Sequence, residues 1–355
     1  MKTVFKKIGI LTSGGDAPGM NAAIRAVART SMAHGVEVVG IYRGYSGLIA
    51  GDIRPFDIRA VSNIVNRGGT MLYSDRCPEF KTEEGMQKAI ATCRREGIDG
   101  IVAIGGDGTF RGATDLTKRG IPCVGIPGTI DNDIASTDFT IGFDTAMNTV
   151  IEMVDRLRDT CESHARCNVV EVMGRDAGDI ALQTAIASGA TAVVIGELPS
   201  NDDAIIEKIR HSREIGKRNF IILVSEGKGH DYGASLTERI ERETGVESRF
   251  ARLSHVVRGG SPTLRDRLLA SRMGEFAANQ LLEGKSDIVI CERNGEICAT
   301  DIHYALILDR MFKAKLKDGD LDSFTKEEVA SMRERCKAQN AYKMSLYKTV
   351  NLLGL

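Results

Sequence analysis

Three glycine-rich segments carry the residues of this sequence that are best suited to chemistry on a phosphate. They read TSGGDAPGMNA at 12–22, GGDGT at 105–109 and PGTIDND at 127–133. Each follows a strand-like run, and the first two open helical sequence, a position where backbone N–H groups and a helix dipole can hold phosphate. A single turn of this kind serves equally well for close packing of a helix on a strand.

The carboxylates in these segments indicate two further roles. Asp107 stands among glycines that let a phosphate chain approach the backbone, which suits Mg²⁺, an ion that typically takes only one or two protein carboxylates. Asp131 and Asp133 are two residues apart, with the hydroxyl of Thr129 nearby. One of them can accept the proton of an attacking alcohol while the other assists the metal. The alternatives are a plain turn aspartate at 107 and a calcium-binding or capping role for the DND sequence.

The composition limits the kind of protein that holds these residues. The chain has 355 residues, 42% apolar and 5% aromatic, which predicts two α/β domains with aliphatic cores. Its 47 basic and 48 acidic residues give a formal charge of −1, so no overall field attracts nucleic acid or an anionic membrane. Neither a signal peptide nor an apolar run of about 18 residues is present. Eight cysteines without a CxxC pair predict reduced thiols in a cytoplasmic protein, neither exported nor embedded in a membrane.

Short β-branched runs alternate with amphipathic stretches along most of the chain. The predicted strands are 8–11, 36–41, 98–104, 168–172, 191–195, 220–224 and 287–291. The predicted helices begin near 21 and lie at 84–95, 144–161 and 202–216. This alternation predicts an α/β fold with two doubly wound, Rossmann-like domains and mostly parallel sheets. Ligands bind at the carboxyl ends of strands in such sheets, so we expect the three segments to converge.

Two further motifs, MGR at 173–175 and RGGSP at 258–262, follow the three segments in the chain. These five ordered motifs resemble those of the phosphofructokinase family, and the resemblance runs from about Lys7 to Arg310. It implies the phosphofructokinase fold and transfer of phosphoryl from Mg-ATP to fructose 6-phosphate, the committed step of glycolysis. It further implies a larger nucleotide-binding domain at 1–142 plus 255–305 and a smaller sugar-phosphate-binding domain at 143–254 plus 306–355. The charged stretch 326–343 is expected to be an appended surface helix of unknown function.

The resemblance also implies residue roles at the matching positions. It implies that Asp131 is the general base for the 1-hydroxyl of fructose 6-phosphate, with Thr129, Asp133 and Arg175 beside it. It implies that Asp107 is the Mg²⁺ ligand. The implied nucleotide-site positions are Gly15, Tyr45, Arg76, Cys77, Gly106, Asp107, Gly108, Thr109 and Gly112. The implied sugar-phosphate positions are Thr129, Asp131, Arg166, Met173, Gly174, Arg175, Glu226, Arg249, His255 and Arg258.

Oligomeric state and regulation follow from the same resemblance. The family equivalents of Arg166 and Arg249 come from a neighbouring subunit, which implies a homo-oligomer, usually a tetramer, with shared active sites. The effector site of the bacterial members is half matched, so the allosteric effectors stay open. Its cations are matched by Arg25, Arg29, Arg158 and Lys217, whereas apolar or neutral residues replace its other members at Ile58, Thr191, Ile215 and Asn219.

Two glycines bear on the phosphoryl donor. Pyrophosphate-dependent members of the family commonly have an aspartate where this chain has Gly108 and a lysine where it has Gly128. A carboxylate at 108 would intrude on the place of the nucleotide α-phosphate, so the two glycines favour ATP over the alternative, pyrophosphate. Tagatose 6-phosphate and sedoheptulose 7-phosphate stay open as acceptors.

Other classes of function fit the sequence less well. A P-loop needs the pattern GxxxxGK[ST], and the sequence Gly284–Lys285–Ser286 has Asn279 where the first glycine belongs. A Rossmann dehydrogenase needs GxGxxG in the first turn, and NAD and lipid kinases share GGDGT without DND or RGGSP. A catalytically silent sugar-phosphate sensor is the alternative from outside the enzymes, because a fold does not guarantee activity.

Overall fold

A computed structural model of the chain describes residues 5–354. These residues form two compact units. Unit 1 contains 5–130, Ile134–Thr145 and Arg258–Met332, and unit 2 contains Asp131–Asp133, Ala146–Val257 and 333–354. In this described part of the chain, no helix combines the length and apolar character needed to cross a membrane.

Strands and helices alternate through both units. In chain order the strands are β1 (Lys7–Ser13), β2 (Glu37–Ile41), β3 (Ile53–Phe56), β4 (Gly100–Gly105), β5 (Cys123–Pro127), β6 (Cys167–Val172), β7 (Ala192–Val194), β8 (Phe220–Ser225), β9 (Ser248–Arg252), β10 (Ile288–Arg293) and β11 (Glu296–Asp301). The helices are α1 (Met20–Ala33), α2 (Gly44–Ala50), α3 (Glu83–Glu96), α4 (Asp107–Thr117), α5 (Phe143–His164), α6 (Asp179–Ala187), α7 (Asp202–Glu214), α8 (Tyr232–Thr244), α9 (Leu264–Leu282), α10 (Ile302–Phe312) and α11 (Lys326–Leu353).

Each unit has its own sheet. The sheet of unit 1 has the order β11-β10-β5-β4-β1-β2-β3, in which only the edge strands β3 and β11 pair antiparallel to their neighbours. The sheet of unit 2 has the order β7-β8-β6-β9 and is parallel throughout. Every residue of β4, β6 and β8 is buried, as expected for parallel strands that helices cover on both faces. The predicted α/β class with two doubly wound, mostly parallel layers is confirmed.

The cores are aliphatic, in line with the composition. In unit 1 the core around β1, β4 and α4 includes Leu11, Ile101 and Phe110, and in unit 2 the core around β6 and β8 includes Val169 and Phe220. Tight packing of such side chains fixes the strand ends, and the strand ends carry the loops that the sequence singled out.

Residues 306–332 lie in unit 1, whereas we expected the smaller domain to resume at 306. The reason is the apolar stripe of α10, because Ile302, Ala305 and Leu306 are buried in the same core as Leu116 and Val289. Of the described residues after 305, only those from 333 onwards, which include most of α11, belong to unit 2.

Candidate active site

The three glycine-rich segments begin at one edge of the sheet of unit 1. Their strands, β1, β4 and β5, are adjacent, and the register pairs Ser13 with Gly105 and Gly105 with Pro127. The strands therefore end level with one another. The Gly128 N–H then donates to the Gly105 carbonyl at 3.0 Å, which joins the second and third segments. This is the convergence that the sequence led us to expect.

The backbone at 106–108 is open to a ligand. A Cβ atom placed on Gly106 or Gly108 would have no heavy atom within 4 Å apart from its chain neighbours and, for Gly108, the backbone of its own helix. The helix α4 begins here at Asp107 and has eleven residues, so its amino end attracts anions. Open space at the start of a helix suits a polyphosphate.

Asp107 pairs with a cation that the sequence reasoning missed. Arg111 donates from Nη2 to Oδ2 of Asp107 at 2.8 Å and from Nε to Oδ1 at 3.2 Å. Both side chains are partly exposed, and a surface ion pair of this kind contributes about 0.2–1 kcal/mol, so a divalent cation can displace it. The spacing of four residues at the start of a helix was the signal for this pair.

One carboxylate beside open glycines fits Mg²⁺, which draws its other ligands from water and phosphate oxygens. Among residues 5–354 there is no group of three or more His, Cys, Asp or Glu side chains arranged to hold a metal. The residues present thus fit an ion that arrives with a nucleotide better than an ion held by a protein cage.

Tyr45 is hydrogen-bonded to the second segment and packs against the helix that follows it. Its hydroxyl donates to the Thr109 carbonyl at 2.6 Å, and a Cβ on Gly112 would lie 2.6 Å from the ring. Thr109 in turn donates from Oγ1 to the Ser13 carbonyl at 3.1 Å. Burial raises the pKa of Tyr45 well above 10, so the phenol stays protonated as a donor. Three of the implied nucleotide-site residues therefore form one packed support.

The segment that carries Arg76 and Cys77 is tied to the first glycine-rich segment. The Asn21 side chain donates to the Arg67 carbonyl at 3.0 Å and accepts from the Met71 N–H at 2.7 Å. Cys77 is half-buried and packs against the core of unit 1, whereas Arg76 is exposed. The guanidinium of Arg76 is therefore available to solvent and to an anion.

Arg258 lies against the first segment, inside unit 1. Its Nη1 donates to the Asp16 carbonyl at 3.3 Å and is 2.5 Å from where a Cβ on Gly15 would stand. A side chain at position 15 would therefore displace this guanidinium from its present place. The structure thus brings Gly15 and Arg258 together, although the resemblance implied that they serve different ligands.

The third segment places two carboxylates in unit 2. Asp131 is 7% exposed and Asp133 is 8% exposed, while Asn132 between them has a left-handed backbone with φ of 51°. Thr129 precedes them in unit 1, where its carbonyl accepts from the Thr140 hydroxyl at 2.6 Å. Buried carboxylates hold defined positions, as a base that must meet one particular hydroxyl requires.

The MGR motif forms a loop, 173–178, at the carboxyl end of β6. Oε1 of Glu226, which follows the adjacent strand β8, accepts from the N–H of Gly174 at 3.1 Å and of Arg175 at 2.7 Å. Gly174 has φ of 144°, a region that disfavours other residues. Met173 is buried at the start of this loop, and Nη1 of Arg175 lies 4.0 Å from Oδ2 of Asp133. Since 69% of the Arg175 side chain is exposed, this cation can also reach a ligand.

Two of the implied phosphate-binding arginines lie at the other end of β6. Arg166 directly precedes β6. Arg249, in the neighbouring strand β9, pairs with Asn168 near the start of β6. Both arginines contact Glu247. The six residues of β6 span roughly 17–20 Å, so these arginines do not meet Arg175 within one chain. His255 is exposed on a short 3-10 turn and contacts the Ser254 hydroxyl at 3.2 Å.

Comparison with known proteins gives consistent findings. The model of the family described as Phosphofructokinase matches residues 7–281. The ATP-dependent 6-phosphofructokinase of Bacillus pumilus is 55% identical over 298 residues, which cover 84% of this chain and 93% of that protein. The enzyme of the same name from Clostridium botulinum is 52% identical over 315 residues, covering 88% and 98% respectively. The structure of phosphofructokinase from Saccharomyces cerevisiae matches with a TM-score of 0.83 and 32% identity over 92% of this chain, which spans 48% of that longer chain.

Proposed function

This chain belongs to the phosphofructokinase family, and from that premise we propose that it phosphorylates the 1-hydroxyl of fructose 6-phosphate with the γ-phosphoryl group of ATP. The products are fructose 1,6-bisphosphate and ADP, as in glycolysis. The observation that carries the proposal is the level ending of β1, β4 and β5 in three glycine-rich segments, the last of which leads into two buried carboxylates. ATP is the co-substrate and Mg²⁺ the metal ion.

The residues of unit 1 fit the nucleotide. The open backbone of Gly106 and Gly108 and the amino end of α4 receive the phosphates, while the exposed guanidinium of Arg76 clamps them. Asp107 would hold Mg²⁺, which supplies charge stabilisation to the phosphoryl group when bound. Support for the phosphate-binding turn comes from the packed set of Tyr45, Thr109 and Gly112, and Cys77 packs against the same core as Tyr45. Gly15 leaves room for the guanidinium of Arg258 in the first segment.

The carboxylates that follow Thr129 fit the transfer itself. Asp131 accepts the proton of the 1-hydroxyl while that oxygen forms a bond to the γ-phosphorus. The bond from the γ-phosphorus to its bridging oxygen breaks, and the electron pair leaves with ADP. Thr129 and Asp133 orient the hydroxyl, and Arg175, 4.0 Å from Asp133, offsets negative charge on the transferring group.

The sugar phosphate is bound by residues of the second half of the chain. Met173, Gly174, Arg175 and Glu226 contact the sugar, and the 6-phosphate is bound by Arg166, Arg249, His255 and Arg258. Because Arg166 and Arg249 lie about the length of β6 away from Arg175, a second copy of the chain supplies them. A homo-oligomer, with the tetramer as the proposed form, follows from this arrangement. A cytoplasmic location agrees with eight free cysteines.

Donor choice is tested by placing a carboxylate at Gly108. A Cβ there has open space, so Gly108→Asp is expected to fold and to lower kcat/KM for ATP by about 10²-fold through like-charge repulsion with the nucleotide phosphates. Gly108→Asn is the matched control, because asparagine has the shape of aspartate without its charge. A coupled assay of fructose 1,6-bisphosphate formation measures wild type and both variants with ATP and with pyrophosphate.

Two results of that assay would contradict the account. An equal loss in the aspartate and asparagine variants would make the effect one of size and remove the charge argument. A wild-type preference for pyrophosphate would overturn the donor assignment while leaving the acceptor and the base in place.

A further inference from the structure

Unit 2 contains a buried lysine that comes from the C-terminal helix. Lys343 of α11 is 8% exposed, and its Nζ donates to Oδ2 of Asp179 and to Oε1 of Glu197, each at 2.7 Å. A buried ammonium is costly unless hydrogen-bonded counter-charges surround it, and removal of one partner leaves the others uncompensated. This lysine, its two carboxylates and their contacts form what we call the Lys343 cluster.

The Lys343 cluster holds the far end of the loop 173–178. The same Oε1 of Glu197 that accepts from Lys343 also accepts from the Gly178 N–H at 2.8 Å. Asp179 is the first residue of α6, directly after the loop. The backbone packs closely here, because a Cβ on Gly178 would lie 2.5 Å from the Ile195 side chain.

The loop is thus fixed at both ends by carboxylates. Glu226 binds the N–H groups of Gly174 and Arg175 at its start, and Glu197 binds Gly178 at its end. Of these two carboxylates, only Glu197 is held by the ammonium of Lys343, among the contacts seen in unit 2. The loop that carries Arg175 is thus connected through Glu197 to a residue of the tail, 168 positions after Arg175 in the chain.

The cluster is also electrostatically close to the proposed catalytic carboxylates. Burial raises the pKa of Asp179, and the negative charges of Glu197 and Asp133 add to that rise. Asp133 is the carboxylate that lies 4.0 Å from Nη1 of Arg175. The buried positive charge of Lys343 thus balances a set of acids that includes a member of the proposed active site.

We infer that Lys343 is a positioning residue for fructose 6-phosphate: it fixes Glu197 and Asp179, which fix the loop 173–178 and so the orientation of Arg175. The C-terminal helix thereby contributes to sugar-phosphate binding without touching the sugar phosphate. The inference rests on the proposed function, since that proposal assigns the loop to the sugar.

Lys343→Met tests this role, because methionine keeps much of the stem and removes the charge. We expect the KM for fructose 6-phosphate to rise about tenfold, since small misplacements of positioning groups are costly, while the KM for ATP stays nearly unchanged. Steady-state kinetics with each substrate varied in turn measures both. Lys348→Met, an exposed lysine on the same helix, is the matched control and should behave like wild type.

Two further variants separate positioning from folding. Lys343→Arg keeps a cation and should recover most of the affinity for fructose 6-phosphate. If Lys343→Met fails to fold, the double variant Lys343→Met with Asp179→Asn removes one of the two stranded carboxylates and should fold, while its KM for fructose 6-phosphate stays high.

An unchanged KM for fructose 6-phosphate in folded Lys343→Met, or in the folded double variant, would overturn the role of Lys343 and leave the proposed function intact. An equal rise in both KM values would also overturn it, because that pattern marks a general structural defect. Wild-type protein that forms no fructose 1,6-bisphosphate would instead refute the proposed function itself.

Discussion

Replacement of Asp131 by serine is expected to lower kcat by about 10²–10⁴-fold, the usual contribution of a general base. Serine removes the proton acceptor and leaves the phosphate-binding cations untouched, so the Kd for fructose 6-phosphate should stay close to the wild-type value. Turnover is measured by the coupled assay and binding by titration calorimetry. The separation of the two effects is the signature of a base.

The control for this substitution is Asp318→Ser, at an exposed position outside every proposed site. It should leave both kcat and the Kd unchanged. Unchanged turnover in Asp131→Ser would remove Asp131 from the role of base. Loss of binding along with turnover would show that the carboxylate, 7% exposed, serves mainly to shape the pocket.

Replacement of Asp107 by asparagine is expected to have the second largest effect. Asparagine cannot supply the negative charge that Mg²⁺ prefers, and we expect kcat/KM for ATP to fall about 10²-fold, because the metal contributes several kcal/mol of charge stabilisation. The Mg²⁺ concentration for half-maximal rate should rise as well. Initial rates over a range of Mg²⁺ at fixed ATP measure both quantities.

Asp115→Asn is the matched control, since Asp115 lies on the same helix α4 one turn beyond Arg111. This variant should keep the wild-type dependence on Mg²⁺. The assignment of the metal to Asp107 fails if Asp107→Asn also keeps that dependence, because the ion must then be held by other groups. In that case the pair of Asp107 with Arg111 would be a purely structural contact.

Strands rich in isoleucine and valine could be predicted from the sequence. The predictions at 8–11 and 168–172 lie within β1 and β6, and the prediction at 98–104 overlaps β4. Strands buried on both faces need mostly apolar residues, and this requirement is visible in the sequence. The loops that follow them could be located for the same reason. Chemistry was therefore easiest to find where the sheet imposed the strongest constraint on residue type.

Elements with weaker patterns were missed. The strand β11 pairs with β10 through a two-residue turn at Asn294 and Gly295, both with positive φ, which is a hairpin signal that the sequence contains. The strand β3 contains proline, a residue that lowers strand propensity. Their place is set by neighbouring strands, and that tertiary information is absent from a local pattern.

The residues of the candidate site also differ in how far the sequence could predict them. Asp107, Asp131 and the glycines beside them have a local signature, whereas Lys343 has none. Its partners Asp179 and Glu197 are 164 and 146 residues away in sequence, and only the fold brings them together. A buried charge pair between distant elements carries no spacing rule, so a sequence reading places such a lysine on a solvated helix.

The central claim is tested most directly by ³¹P NMR of wild-type protein with Mg²⁺, ATP and fructose 6-phosphate. The account predicts that the ATP γ-signal is replaced by ADP and, in equal amount, by a second phosphomonoester on the 1-oxygen of the sugar. Loss of ATP with release of inorganic phosphate, a phosphate on another oxygen, or no change would each contradict it.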